Sequence, residues 1–167
     1  RTLKSLVPIY EEGAVDAELI KEGVRNLRDY YQSKGFYEVE VHDQRTDDPQ
    51  TGDISIEYQV EKGKRHKLDR PEIVGNKFFD DETLRERLLI SPSNRLGGGR
   101  FSRSLLEQDS LVIRELYRNN GFQNVKVSSE VADEYQGAGG RIHVTLTIDE
   151  GPQTLVGDLV LKGNHGI

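Results

Sequence analysis

The side chains best suited to binding metal or moving protons near neutral pH are four histidines, His42, His66, His143 and His165. They are scattered, without the spacing of a ligand set, and read as surface or turn residues. Asp47, Asp48 and Asp53 cluster, yet the calcium-loop spacing with its distal glutamate is missing; a solvated turn accounts for them. Gly97-Gly98-Gly99 suggests a phosphate cradle, but no Lys-Ser or Lys-Thr follows and no strand leads in. A flexible loop between helices is the simpler reading. No serine stands out beside a base, and nothing selects a pair from the many carboxylates. Cysteine is absent, which removes disulfides, thiol catalysis and cysteine-bound metal. The sequence therefore predicts no catalytic residue, no metal ligand and no cofactor, and function must lie in how the elements are arranged.

Totals narrow the partners. The 167 residues suffice for one or two domains with real cores. The net charge of −6 argues against nucleic acid, which calls for a basic patch. No apolar run approaches the roughly 20 residues that span a bilayer. The chain begins at Arg1 without a methionine, so we expect a piece of a longer protein.

The organising feature is a repeat. Residues 31–41 read YQSKGFYEVEV and residues 117–127 read YRNNGFQNVKV. Tyr31, Gly35, Phe36, Val39 and Val41 match Tyr117, Gly121, Phe122, Val125 and Val127 without a gap, 86 residues later. Each copy reads as the end of a helix, a glycine stop and the start of a strand.

Around the first copy, Leu3, Leu6 and Val7 read as a helix end before Pro8, and PIYEEG as a loop. Asp16 is an N-cap, with Val15 and Ile20 as a hydrophobic staple. Ile20, Val24, Leu27 and Tyr31 form one helical face. A strand over Tyr37–Gln44, a polar turn at 47–53 and a strand over Ile54–Val60 follow, the last with Ser55, Glu57 and Gln59 on its outer side. The second copy is preceded by a short strand over Pro71–Val74 ending in Gly75-Asn76, and by a short helix capped by Asp80 or Asp81 that carries Leu84 and Leu88. Phe101, Ser102 and Leu106 repeat the staple and cap. Leu106, Ile113 and Tyr117 form the helix face, Gln123–Val131 a strand, EYQGAGG a turn, and Ile142–Ile148 the last strand. Leu159–Leu161 and Gly163-Asn164 echo Ile73-Val74 and Gly75-Asn76, now 88 residues on because the intervening turn is longer.

The order β-α-α-β-β, the opening strand ending in Gly-Asn, the helix ending in Tyr-x-x-x-Gly-Phe and the last strand ending in Glu-x-Gly together resemble the POTRA (polypeptide-transport-associated) domain. In tandem they look like the periplasmic region of outer-membrane β-barrel assembly and translocation proteins, the BamA-like family. The resemblance implies an α+β fold of tandem units, each a three-stranded mixed sheet covered on one face by two helices. It divides the chain into a unit lacking its first strand at 1–64, a complete unit at 65–152, and the first strand of a following unit at 153–167. It also implies a non-enzymatic scaffold in the periplasm of a diderm bacterium, attached to the outer membrane through the parent protein's C-terminal barrel. Its partners would be unfolded outer-membrane proteins and periplasmic or lipoprotein accessory subunits, with no nucleic acid.

In such domains the strand after Gly-Phe lies at a sheet edge, where unpaired backbone groups can accept a further strand. The expected edge residues are Val125, Lys126, Val127, Ser128, Ser129 and Glu130 in the second unit, and Val39, Glu40 and Val41 in the first. We favour the second edge. Its outward residues include Lys126, Ser128 and Glu130, whereas Glu38 and Glu40 look like protection of the first. Within the same class, the region could serve two-partner secretion or autotransport assembly. From another class, the helix–loop–helix is similar to the KH module, which clamps RNA with a GXXG loop. Residues 96–100 read LGGGR, so that glycine pair is absent, and the matching loop of the first unit is acidic.

Overall fold

The computed structural model describes residues 3–9, 16–93, 99–133, 140–160 and 162–163. Val15, Gly97 and Gly98, residues 134–139, Leu161, Asn164 and His165 lie outside the described residues.

Each long helix begins where its cap predicts. In α1 (Ala17–Ser33) the Asp16 side chain accepts from the Glu18 N–H at 2.9 Å. In the second unit, α2 is the short helix Asp81–Arg85, capped by Asp80 through the Thr83 N–H. The second long helix, α3 (Arg103–Asn119), is capped by Ser102, whose Oγ accepts from the Leu105 N–H at 3.1 Å. Such a cap satisfies one of the N–H groups that a helix start leaves unpaired. Phe101 and Leu106 on either side of it are both buried, as a staple requires. Near the N-terminus, Leu3–Leu6 form a single 3-10 turn. Pro8 and Ile9 then have helical backbone where we expected a loop; proline suits a first helical turn, where its missing N–H is no loss.

The first unit contributes β1 (Glu40–Asp47) and β2 (Ile54–Glu61), antiparallel, with Val41 opposite Val60. The second contributes β3 (Lys67–Leu68), β4 (Glu72–Val74), β5 (Lys126–Asp133) and β6 (Arg141–Asp149). Strands β3 and β4 both run parallel to β6 on the same flank and form one opening strand broken at 69–71. Pro71, which has no N–H to donate, stands in the break. Strand β5 lies antiparallel on the other flank of β6, with Val127 opposite Ile148. The most buried strand, β6, is therefore central, and β5 is lateral.

Both predicted edge strands start about a turn later than expected. The Val39 N–H donates to the Phe36 carbonyl and the Val125 N–H to the Phe122 carbonyl, both at 3.3 Å. These turns carry the chain past Tyr37 and Gln123 before pairing begins.

Two cores result. Leu27, Val39 and Val41 centre the first, with Tyr31, Phe36 and Tyr58 against them. The larger one runs from Leu68 and Ile73 through Leu84, Ile113 and Tyr117 to Val144, Leu146 and Ile148. Alternation along β6 places Ile142, Val144, Leu146 and Ile148 inward and leaves His143, Thr145 and Thr147 on the opposite face.

The helix stops do more than end helices. Gly35 has φ +93° and Gly121 φ +91°, a conformation cheap only for glycine. The Gly35 carbonyl accepts from the His66 N–H at 2.6 Å, and the Gly121 carbonyl from the Thr154 N–H at 2.8 Å. Beside them, the Arg65 Nε–H donates to the Lys34 carbonyl, and the Gln153 amide to that of Asn120, both at 2.9 Å. The same clamp thus fastens the segment leaving each unit to the end of that unit's long helix.

Candidate functional site

Strand β5 carries the predicted contact residues in alternation. Val127 is buried and joins the core, while Lys126, Ser128 and Glu130 are exposed. Ser129 shares the helix-facing side with Val127 but is open to solvent. Val125 is buried one residue before the strand begins. Every β5 residue has a partner on β6, and among the described residues no strand lies on its other flank. No proline interrupts it, so its outward backbone groups form a continuous row. In the first unit, Glu40 and Val41 open β1, and Val39 sits in the turn before it. Val39 and Val41 are core residues, and the rest of β1 is exposed. Charged side chains lie along it: Glu40 meets His42 at 3.4 Å and Arg45 pairs with Asp47 at 2.8 Å.

Residues that sequence reasoning passed over frame the second edge. Tyr37, expected in a strand, instead reaches across to the next unit. Its ring lies 5.5 Å from that of Phe101, the Arg103 guanidinium sits 5.1 Å over it, and its hydroxyl accepts from Arg103 at 2.7 Å. Gln32 is buried and bridges the same join. It donates to the Tyr37 carbonyl at 3.1 Å and accepts the Arg103 N–H at 2.9 Å. The Ser104 hydroxyl donates to Asp29 at 2.9 Å. One signal pointed this way: position 37 is tyrosine where its repeat partner, Gln123, is not aromatic.

Two carboxylates hold the second unit's frame. Glu150 Oε1 accepts from the Lys77 and Phe78 N–H groups and from the Tyr117 hydroxyl, joining the end of β6, the turn after β4 and the end of α3. Burial pushes its pKa up, but these three donors and the nearby Lys77 charge outweigh it and hold the carboxyl below its ordinary value. Desolvation, then the Glu150 bond and charge, push the Tyr117 hydroxyl well above the usual range. Asp109, fully buried in α3, accepts from the Leu89 and Ile90 N–H groups at 2.6 and 3.0 Å. Here desolvation wins over those bonds and raises the pKa. Asn76, of the Gly-Asn pair that ends the opening strand, donates its amide to the Phe79 carbonyl and to Asp81. These are bracing contacts. Among the described residues no group of three or more acidic or histidine side chains is placed to hold a metal, and no helix is long and apolar enough to cross a membrane.

A family model named POTRA, described as a surface antigen variable number repeat, matches residues 1–63 and 67–151. The chain belongs to the POTRA family. The buried residues of the first core fall within the first matched stretch and those of the second core within the second. A curated relative from Treponema pallidum (strain Nichols), bearing the name of a candidate outer membrane protein assembly factor, is 23% identical over 149 residues. That alignment takes in 87% of this chain but 18% of the relative, so the chain spans under a fifth of its length. Among solved structures, the POTRA3-5 segment of Haemophilus influenzae BamA matches with a TM-score of 0.63 at 20% identity, covering 90% of this chain and 57% of that one. Haemophilus ducreyi BamA lacking POTRA domains 1-3 matches at 0.57 and 15% identity, covering 81% and 23%. At these identities the likeness speaks to the α+β POTRA fold, with helices over a mixed sheet.

Proposed function

We propose that this tandem POTRA region is a periplasmic scaffold for outer-membrane protein assembly, and that the second unit takes extended polypeptide segments onto the free edge of β5. The segments would come from unfolded outer-membrane proteins or accessory subunits, and the parent protein would be held at the outer membrane of a diderm bacterium by a barrel. The observation that carries this reading is the one-sided pairing of β5. It is an eight-residue strand without proline, bonded to β6 and open on its other flank among the described residues. Strand addition binds through backbone hydrogen bonds and so tolerates varied sequences, as a scaffold for many clients requires. The family and the relative named for outer-membrane assembly support the setting. The β1 edge, with Val39, Glu40 and Val41, would be the weaker site, because the charges along it oppose indiscriminate pairing. The segment expected to open a following unit has no regular secondary structure over 153–160, and Leu155, Val156, Leu159 and Val160 are each at least 70% exposed.

Photo-crosslinking tests the edge. With a photoreactive residue at Ser128 or Glu130, a urea-denatured outer-membrane porin diluted into buffer should crosslink. The same probe at Leu111, exposed on α3, should give little product. Equal yields at all three positions would remove β5 as the site.

A further inference from the structure

The hairpins of the two units are repeats, yet only the second has a third strand beside it. Ile54, Ile56, Tyr58 and Val60 of β2 recur 88 residues later as Ile142, Val144, Leu146 and Ile148 of β6. Strands β3 and β4 cover the flank of β6 that β5 leaves, and those four β6 residues are at most 3% exposed. Strand β2 pairs with β1 alone, and among the described residues no strand lies on its other flank. Ile54 is 40% exposed, and Ile56, Tyr58 and Val60 are only half-buried. The chain also carries a strand sequence without a sheet. Residues 154–164 repeat 66–76, and both copies start from the same clamp, His66 on Gly35 and Thr154 on Gly121. Leu68, Pro71 and Ile73 are the buried positions of the opening strand. Val156, Leu159 and Leu161 stand at those positions, all apolar. Val156 and Leu159 are 87% and 83% exposed. Leu159 replaces the proline that breaks the first copy, so no missing N–H interrupts the second.

We infer that the 155–162 segment of one copy of this chain adds as a parallel strand to the open flank of β2 in a second copy, completing its three-stranded sheet. The second unit supplies the register, with Leu68 opposite Ile142 and Ile73 opposite Leu146. Carried back 88 residues, it sets Val156 opposite Ile54 and Leu161 opposite Tyr58, apolar on apolar. On the outer side Lys162 falls opposite Gln59, between Glu57 and Glu61, where opposite charges on neighbouring strands attract. This edge is not β5, so the pairing is independent of client addition there. Donor and acceptor are different surfaces of one chain, so the contact is head-to-tail. Each open assembly still carries one free edge and one free strand, and association continues past the dimer into rings or filaments.

Sedimentation of the parent chain should give an average mass that rises with concentration beyond that of a dimer. Val156→Asp alters a side chain that is 87% exposed, so the circular dichroism should be unchanged while association is lost. A synthetic peptide of residues 153–164, added to isotope-labelled Val156→Asp chain, should shift the Ile54–Glu61 amides and leave Lys126–Asp133 unmoved. Added to the parent, the same peptide should lower the average mass by capping free β2 edges. A parent that stays monomeric at its highest soluble concentration overturns the proposal, and so does association that Val156→Asp leaves intact. Peptide shifts that fall on β5, or that miss β2, overturn it as well. If the β2 amides of a dilute, monomeric parent are protected from exchange and those of Val156→Asp are not, the segment pairs within its own chain, and the second copy is overturned.

Discussion

A methyl group on Gly121 would lie 2.4 Å from the Thr154 carbonyl oxygen, and one on Gly35 would lie 2.7 Å from that of His66. Both distances are too short to exist, and both residues already have positive φ. The glycines were legible as helix stops; their second task, seating the departing chain, was not, because a long-range backbone bond leaves no pattern in sequence. Gly121→Ala should cost about 1–2 kcal/mol for the left-handed conformation alone, more with the lost clamp, read as a lower urea midpoint with the Thr154 amide exchanging faster. Glu150 supplies a second residue-scale expectation. Its pKa is depressed in the fold, so the stability it adds is present above the ordinary carboxylate pKa and is lost as pH falls through the lower folded value. Urea denaturation should show Glu150→Gln less stable than the parent at about pH 6, with the gap closing towards about pH 3, since ordinary glutamate titrates near 4.3. A gap independent of pH would mean the charge plays no part.

At the scale of elements, apolar periodicity and caps were enough to read α1, α3, β2 and β6. Asp16 and Ser102 cap as expected, and Ile142 to Ile148 alternate as expected. What sequence did not show is where β1 and β5 begin. Tyr37-x-Val39-x-Val41 alternates well enough to be a strand, yet the Phe36–Val39 turn takes its first residues out of the ladder. The short β3 was also missed, since two residues carry no period and Pro71 hides the continuity. The lateral place of β5 predicts its exchange behaviour. An antiparallel strand bonded on one side protects alternate amides. Along Lys126–Ala132 every second amide should exchange fast, while β6, paired on both flanks around Thr145–Thr147, should be slow at successive residues. Uniform protection along β5 would mean another strand or segment covers its outer flank.

For the whole molecule, two like clamps and one set of side-chain contacts define how unit follows unit. The backbone clamp recurs at Gly35–His66 and Gly121–Thr154. The contacts of Gln32, Tyr37 and Asp29 with Arg103 and Ser104 belong to the first join, and the residues at the repeat positions are Arg118, Gln123 and Glu115. The backbone clamp thus recurs at the end of both long helices, while the side-chain contacts are particular to the join between the two units. Gly35→Ala should loosen that join without unfolding either core. Residual dipolar couplings from the two units should fit one alignment frame in the parent and require two in the variant. A single frame in the variant would show that side chains alone hold the join.

The central claim is that β5 works through its backbone edge. Its most direct test is an NMR titration of the labelled chain with an unlabelled segment of an unfolded outer-membrane β-barrel protein. We predict that the largest amide shifts fall on Lys126–Val131, with cross-strand nuclear Overhauser contacts from β5 to the added segment. Shifts confined to the exposed surface of α3 or the outer face of β6, with β5 unchanged, would contradict it.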